Sequence, residues 1–302
     1  MQAFRSVRMV AIVGLGLAFG SSRAQSPSLE REREQAQGGE YVGRKEKSGY
    51  RSPYRVEFSA PVSELIGDLE RTERGDWRIE SETPHGEWYT HRAREHFGSW
   101  GPRPRAYPPP YGVVNWPIAM RRERVIAVAL RFVGYDYQHH HIPDWNPPRH
   151  WPWQKTCAGQ NGRGVDCSNF TGFVYNLGFG LRLNTDVHHQ AEERFANGPG
   201  RERTPLRHIA LPKSYDERLA TLRTGDLLFI RSHQGKISHV VIWVGPIGRS
   251  PDDTPLILDS HGGDVRDSNK QSIPCGIHLR PFRESSWYNQ SADHAIRILR
   301  GE

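Results

Sequence analysis

Gly164-Val165-Asp166-Cys167-Ser168-Asn169-Phe170 runs into Phe173, Val174 and Leu177, and then into Gly178 and Gly180. From Phe170 the apolar residues recur at i, i+3, i+4 and i+7, the period of a helix with one buried face, and the glycines end it. Aspartate is a favoured N-cap because its carboxylate accepts from first-turn N–H groups that have no partner within the helix. The stretch therefore predicts a helix starting at Asp166, with Cys167 in its opening turn. A thiol placed there meets free N–H groups and the positive end of the helix dipole, and both favour an anion. The same N–H groups suit a tetrahedral oxyanion. As a local feature a cysteine at a helix start is more often structural than catalytic, so the reading depends on a partner elsewhere in the chain.

Outward from this helix the pattern changes from helical to extended. Upstream, Val125, Val128, Ala129 and Phe132 predict a helix over Arg121 to Gly134. Downstream, Asp226–Ile230, Ile237–Val244, Pro255–Asp259, Gly276–Leu279 and Ala295–Leu299 are short aliphatic runs separated by Gly, Pro, Asp and Ser, which read as strands. Helices first and consecutive strands afterwards predict an α+β fold with a largely antiparallel sheet. In the second strand, alternation puts His239, Val241 and Trp243 on one face and Val240, Ile242 and Val244 on the other. A histidine in so apolar a strand is buried and needs a partner, and a Cys–His pair needs a third group to hold the ring. Asp259 and His261, two residues apart in Leu258-Asp259-Ser260-His261-Gly262-Gly263, share a strand face, so either is placed to orient His239.

Asp166-Cys167-Ser168, then Thr224-Gly225-Asp226-Leu227-Leu228-Phe229, then Ser238-His239-Val240 with a strand ending at Gly245, together resemble the NlpC family of papain-like cysteine peptidases over roughly residues 118 to 300. The resemblance implies a papain-like (NlpC-type) fold with the nucleophile-bearing helix packed on the sheet. It also implies hydrolysis of peptide bonds in peptidoglycan stems, with Cys167 as nucleophile and His239 as base. His261 is preferred as the third residue, because an imidazole is common there in the family. Gly134-Tyr135-Asp136-Tyr137 is similar to the family's Gly-x-Pro-Tyr element, which brings the Tyr137 hydroxyl to the site, and Asp166 and Ser168 are expected beside the substrate. Asn169 stands where the family usually has Gly. No metal or organic cofactor is required for this chemistry. Two other readings compete: an amidase or acyltransferase on the same fold, disfavoured because Cys167 precedes His239, and a non-catalytic wall-binding protein with a degenerate site.

The chain of 302 residues opens with Arg5 and Arg8, an apolar run from Met9 to Gly20 and Ser22-Arg23-Ala24, the pattern of an export signal cleaved near Gln25. The run is about a dozen residues, shorter than the roughly 20 that a membrane span needs, so the expectation is a secreted or periplasmic protein with no stable membrane insertion. Residues 1–24 carry three arginines and no acid, so the formal net charge falls from +7 to +4 on their removal. That mild excess, without a basic stripe interleaved with aromatics, argues against nucleic acid as a partner. Residues 25–115 read as an accessory region, polar and disordered up to about Tyr50, with short strands at 77–80 and 87–89 and a proline-rich linker at 101–110. The peptidase domain is expected over 116–302. Of the three cysteines, Cys157, Cys167 and Cys275, the first and last are free to pair in an oxidising compartment; three reduced cysteines are the alternative. The tract Gln138-His139-His140-His141 with the tryptophans after it reads as a lid or substrate-lining loop. As a metal site it is disfavoured, because consecutive histidines in an extended chain point to opposite sides and no carboxylate set completes the cluster. His188 and His189 read as helix-surface or packing residues.

Overall fold

The computed structural model describes residues 40–42, 49–70, 83, 87–88, 90–99, 101–140, 164–198, 200–261 and 265–301. The export signal, the polar stretch up to about residue 48 apart from 40–42, the strand read at 77–80, the tract from His141 to Trp153 and Cys157 lie outside the described residues. Glu87 and Trp88, read as part of a strand, sit in a turn.

In chain order the elements are β1 (Glu40–Val42), β2 (Arg55–Glu57), α1 (Val62–Ile66), α2 (His91–Phe97), α3 (Ile118–Leu130), α4 (Cys167–Phe179) and α5 (Val187–Glu192). There follow β3 (Phe195–Asn197), β4 (Arg203–Pro205), β5 (Arg207–Ala210), α6 (Tyr215–Thr221), β6 (Leu227–Arg231), β7 (Ile237–Trp243), β8 (Gly248–Arg249), β9 (Leu256–His261), β10 (Gly276–Pro281), α7 (Trp287–Gln290) and β11 (Ala292–Arg297). The main sheet has the order β10-β9-β7-β6-β11-β5, and every neighbouring pair in it is antiparallel. The architecture is α+β, with the cysteine-bearing helix packed on an antiparallel sheet, as the order of patterns predicts.

α4 is buried from Cys167 to Gly178 on almost every side. Phe170, Phe173, Val174 and Leu177 join Val125, Val128 and Ala129 of α3 and Val240, Ile242 and Val244 of the β7 segment in one core. The alternate residues Val241 and Trp243 belong to a second cluster with Leu228, Ile257, Phe282 and Tyr288. The sheet is thus apolar on both faces, which explains why its strands read as aliphatic runs. Burying each such side chain contributes about 1.5–3 kcal/mol, so helix-to-sheet packing fixes where α4 begins.

Thr224-Gly225-Asp226 is a structural turn: Gly225 N donates to Trp243 O, and Asp226 takes Arg297 through both carboxylate oxygens at 2.9 and 2.7 Å. Residues ahead of position 115 share the main core, with Tyr54, Val56, Leu65 and Leu69 all buried in it. β2 pairs with β8, and Arg124 of α3 binds Asp68 at 2.6 and 2.7 Å. Among the described residues no helix is long and apolar enough to cross a membrane.

Candidate active site

The helix that carries Cys167 starts where the sequence places it. Asp166 is the N-cap, and its carboxylate accepts from Asn169 N at 2.9 Å. The residues just before it are clamped from two sides. Val165 N donates to Asp136 O at 3.0 Å, and Tyr135 O accepts from Ile277 N at 2.9 Å, so residues 134–137 lie between the nucleophile's approach and the start of β10. Two glycines permit this. A Cβ on Gly164 would lie 2.2 Å from Asp136 O, and one on Gly276, at φ +98°, would lie 2.0 Å from Tyr135 O; real side chains do not fit at either place. From the third side the Ser260 hydroxyl of β9 donates to Val165 O.

His239 is aimed by a bulge. The register of β6 and β7 shifts between Ile230↔His239 and Arg231↔Ile237, leaving Ser238 as an extra residue, a device that re-aims a side chain next to an active site. His239 Nε2 meets Asp259 Oδ1 at 2.8 Å, and Cys167 is near enough for its charge to act on the imidazole. Asp259 is fully buried. Its second oxygen accepts from the Tyr288 hydroxyl at 2.6 Å and lies 3.6 Å from Arg280 Nε, also fully buried. Burial disfavours the His239 imidazolium, but the Asp259 carboxylate and then Cys167 outweigh it and raise the pKa to about 10. Burial likewise acts against the Asp259 carboxylate, and the His239 charge, their hydrogen bond and Arg280 overcome it and hold the group below the usual carboxylate range.

The geometry gives the His239 hydrogen bond to Asp259 and not to His261, the residue expected as the third. Continuing the β7–β9 register of Ile242↔Leu258 puts His261 opposite His239, yet the rings meet edge-on with centroids 5.3 Å apart. The imidazole leans along the strand to its diagonal neighbour, and its hydrogen bond is with Asp259. Asp166 and Ser168, expected beside the substrate, are both buried. Asp166 caps the helix, and the Ser168 hydroxyl donates to Thr185 O at 2.8 Å, so both are engaged in internal bonds. The Tyr137 hydroxyl lies 3.3 Å from His139 Nδ1, and burial first, then negative charge at Cys167, Asp166 and Asp259, disfavours its ionisation. Asn169 fills the place of the family's usual glycine with a buried side chain whose Oδ1 has no hydrogen-bond partner among the described residues.

Residues 154–290 match the NlpC/P60 family. The match contains Cys167, His239 and Asp259, and it bears out the resemblance read from the motifs. Solved NlpC/P60 structures are similar to the chain at low identity. They include a family protein from Bacillus cereus (20% identity, 59% of this chain and 40% of that one, TM-score 0.34). The NlpC/P60 domain of the peptidoglycan hydrolase SagA gives 17%, 59%, 98% and 0.33 in the same order, and NlpC1 of Trichomonas vaginalis gives 12%, 59%, 44% and 0.32. No curated protein matches the chain. Within the NlpC/P60 segment, sequence reading missed Tyr288, Arg280 and Trp287, whose ring centroid is 5.5 Å from that of His239. An arginine buried in a strand, in Gly276-Ile277-His278-Leu279-Arg280, was the available signal, because a buried guanidinium needs an acid nearby.

The pair also sets a pH dependence of stability. His239 is raised, so its contribution is complete below the ordinary imidazole value of about 6.5 and is lost as pH climbs toward its folded value. Asp259 is depressed, so its contribution is complete above the ordinary carboxylate value of about 3.9 and is lost as pH falls through the lowered one. The difference in Tm between the wild type and Asp259→Asn should therefore be widest between about pH 4 and 6.5 and shrink toward pH 10. Thermal melts giving a difference constant across that range would contradict the coupling.

Proposed function

We propose that the protein is an exported cysteine hydrolase that cleaves amide bonds in peptidoglycan stem peptides through Cys167, His239 and Asp259. The observation that carries the reading is the buried line from the Asp259 carboxylate through His239 to a cysteine at a helix start. In this reading the Sγ proton passes to His239, and the thiolate attacks the substrate carbonyl carbon. First-turn N–H groups at Cys167 and Ser168 receive the oxyanion. His239, held protonated by Asp259, returns the proton to the leaving amine, and water activated by the same imidazole then hydrolyses the thioester. Asp259 keeps the ring oriented and its charge balanced, and Arg280 and Tyr288 keep Asp259 ionised and still. No step calls for a metal or organic cofactor. His261 remains at the rim of the site as a second imidazole beside the base.

The NlpC/P60 match over the catalytic segment supports a cell-wall hydrolase, and the N-terminal export pattern supports action in the periplasm or outside the cell. Incubating the purified protein with peptidoglycan and with isolated stem peptides, beside a Cys167→Ala control, and reading products by mass spectrometry tests it. Fragments present only with Cys167 are the expected result and name the bond. Silence across stem peptides of varied chemistry would remove the wall-peptidase reading.

A further inference from the structure

Among the described residues, His139, His140 and Asp166 each offer one ligand atom, and the three atoms lie within 4.8 Å of one another. The sequence argued against a metal here on two grounds, and the structure answers both. His140 adopts the left-handed backbone conformation, φ 57°, which is uncommon for a residue other than glycine. Its ring consequently lies over that of His139, with centroids 3.7 Å apart, instead of pointing to the opposite side. The missing carboxylate comes from 26 residues further on, where Asp166 Oδ2 accepts from His140 N.

The surroundings are those of a ligand set. Asp166 Oδ1 is occupied by Asn169 N and the Ser168 hydroxyl, whereas Oδ2 accepts the His140 N–H and lies 3.8 Å from His140 Nδ1. A carboxylate oxygen has two lone-pair sites, so Oδ2 retains one. The Tyr137 hydroxyl is 3.3 Å from His139 Nδ1, the kind of partner that orients a ligating imidazole. Two imidazoles and a carboxylate suit zinc and its neighbours, with bonds of about 2.0–2.2 Å. Tetrahedral ligands of one such ion lie roughly 3.4 Å from each other, so the widest pair needs to close by up to about 1.4 Å. His139 is exposed and its side chain can make that movement. Three protein ligands leave a fourth position open.

We propose that His139, His140 and Asp166 form a binding site for a zinc-class divalent ion, one residue from Cys167, and that the bound ion restrains hydrolysis. The ion draws on the carboxylate that caps the helix of Cys167 and sits beside the Tyr137 hydroxyl. The restraint rests on the proposed hydrolase function; the binding does not.

The test begins with the full-length protein carrying Cys167→Ala, titrated with Zn²⁺ against a chromogenic chelator. One equivalent should bind with unchanged affinity, and the affinity should fall at least tenfold in His139→Ala and in His140→Asn, asparagine being tolerant of a left-handed backbone. The Co²⁺-loaded protein should show no thiolate-to-metal charge-transfer band. Binding lost in Cys167→Ala and kept in His139→Ala would place the ion on the catalytic pair and overturn the site, as would the lack of any stoichiometric binding. In the wild type Zn²⁺ should slow stem-peptide cleavage, and His139→Ala should relieve it. Zinc bound at the site with hydrolysis unchanged would overturn the restraint. Stem peptides that resist cleavage with and without zinc would instead count against the hydrolase reading, leaving the binding result in place.

Discussion

Alanine at Asp259 should lower kcat/KM on a stem peptide by about 10³–10⁴-fold, the scale on which the acidic member of such a triad acts. His261→Ala should cost no more than about tenfold, since removing a group that only borders the base leaves its tautomer and orientation intact. The asymmetry follows from one contact: Asp259 Oδ1 holds His239 Nε2 at 2.8 Å, while His261 meets the ring edge-on. Asp259→Ala also strands the fully buried Arg280 without its carboxylate, a loss of about 3–5 kcal/mol for a broken buried pair. Activity and folding must therefore be read separately. Asp259→Asn keeps an acceptor for the imidazole and should fall between the two variants in rate, with a circular dichroism spectrum like the wild type. A folded Asp259→Asn at full rate, with His261→Ala inactive, would return the third role to His261.

The largest effect on stability is expected at Arg124, far from the reacting atoms. Its guanidinium is fully buried and binds the Asp68 carboxylate, Leu65 O and Gly178 O, tying α1, α3 and the end of α4 together. Arg124→Ala should destabilise by about 3–5 kcal/mol, which for a domain of this size is a fall in Tm of roughly 10 °C or more. Arg124→Met should cost less, because an apolar side chain of similar length fills the volume that alanine leaves empty. The exposed pair Arg231–Asp293 gives the comparison: with Arg231 47% exposed, breaking it should cost at most about 1 kcal/mol. Melting curves on the three variants decide the matter, and an Arg124→Ala protein within 2–3 °C of wild type would show, by the same scaling, that residues 55–70 are only loosely held.

What the sequence discloses depends on the length of the pattern. α4 and the strands β6, β7, β9 and β10 were legible because each carries a run of aliphatic residues bounded by Gly, Pro or Asp. β11 was read three residues too late, since Ala292-Asp293-His294 opens it with polar residues. β2 has three residues and α1 five, too few to show a period, so their place in the main core was invisible even though Tyr54, Val56 and Leu65 are buried there. In the site, alternation put Asp259 and His261 on one face and could go no further; the choice was made by the lean of a ring along its strand. The left-handed turn at His140 leaves no trace in a run of identical residues.

The clamp that seats Cys167 has a consequence for how such a chain can change. Gly164 N donates to the Gln138 side chain, and Val165 N to Asp136 O, so the stretch between Gln138 and Gly164 is anchored at one spot at both ends. Its ends are joined whatever lies between, and doubling a flexible loop costs only ~0.6 kcal/mol. Insertions, deletions or wholesale exchange of those residues are therefore nearly neutral for the seating of the nucleophile. If the proposed hydrolysis holds, its chemistry is fixed in one place while an adjacent stretch is open to revision, so relatives with the same three residues and quite different preferences for what they cut are the expected outcome of drift between positions 138 and 164.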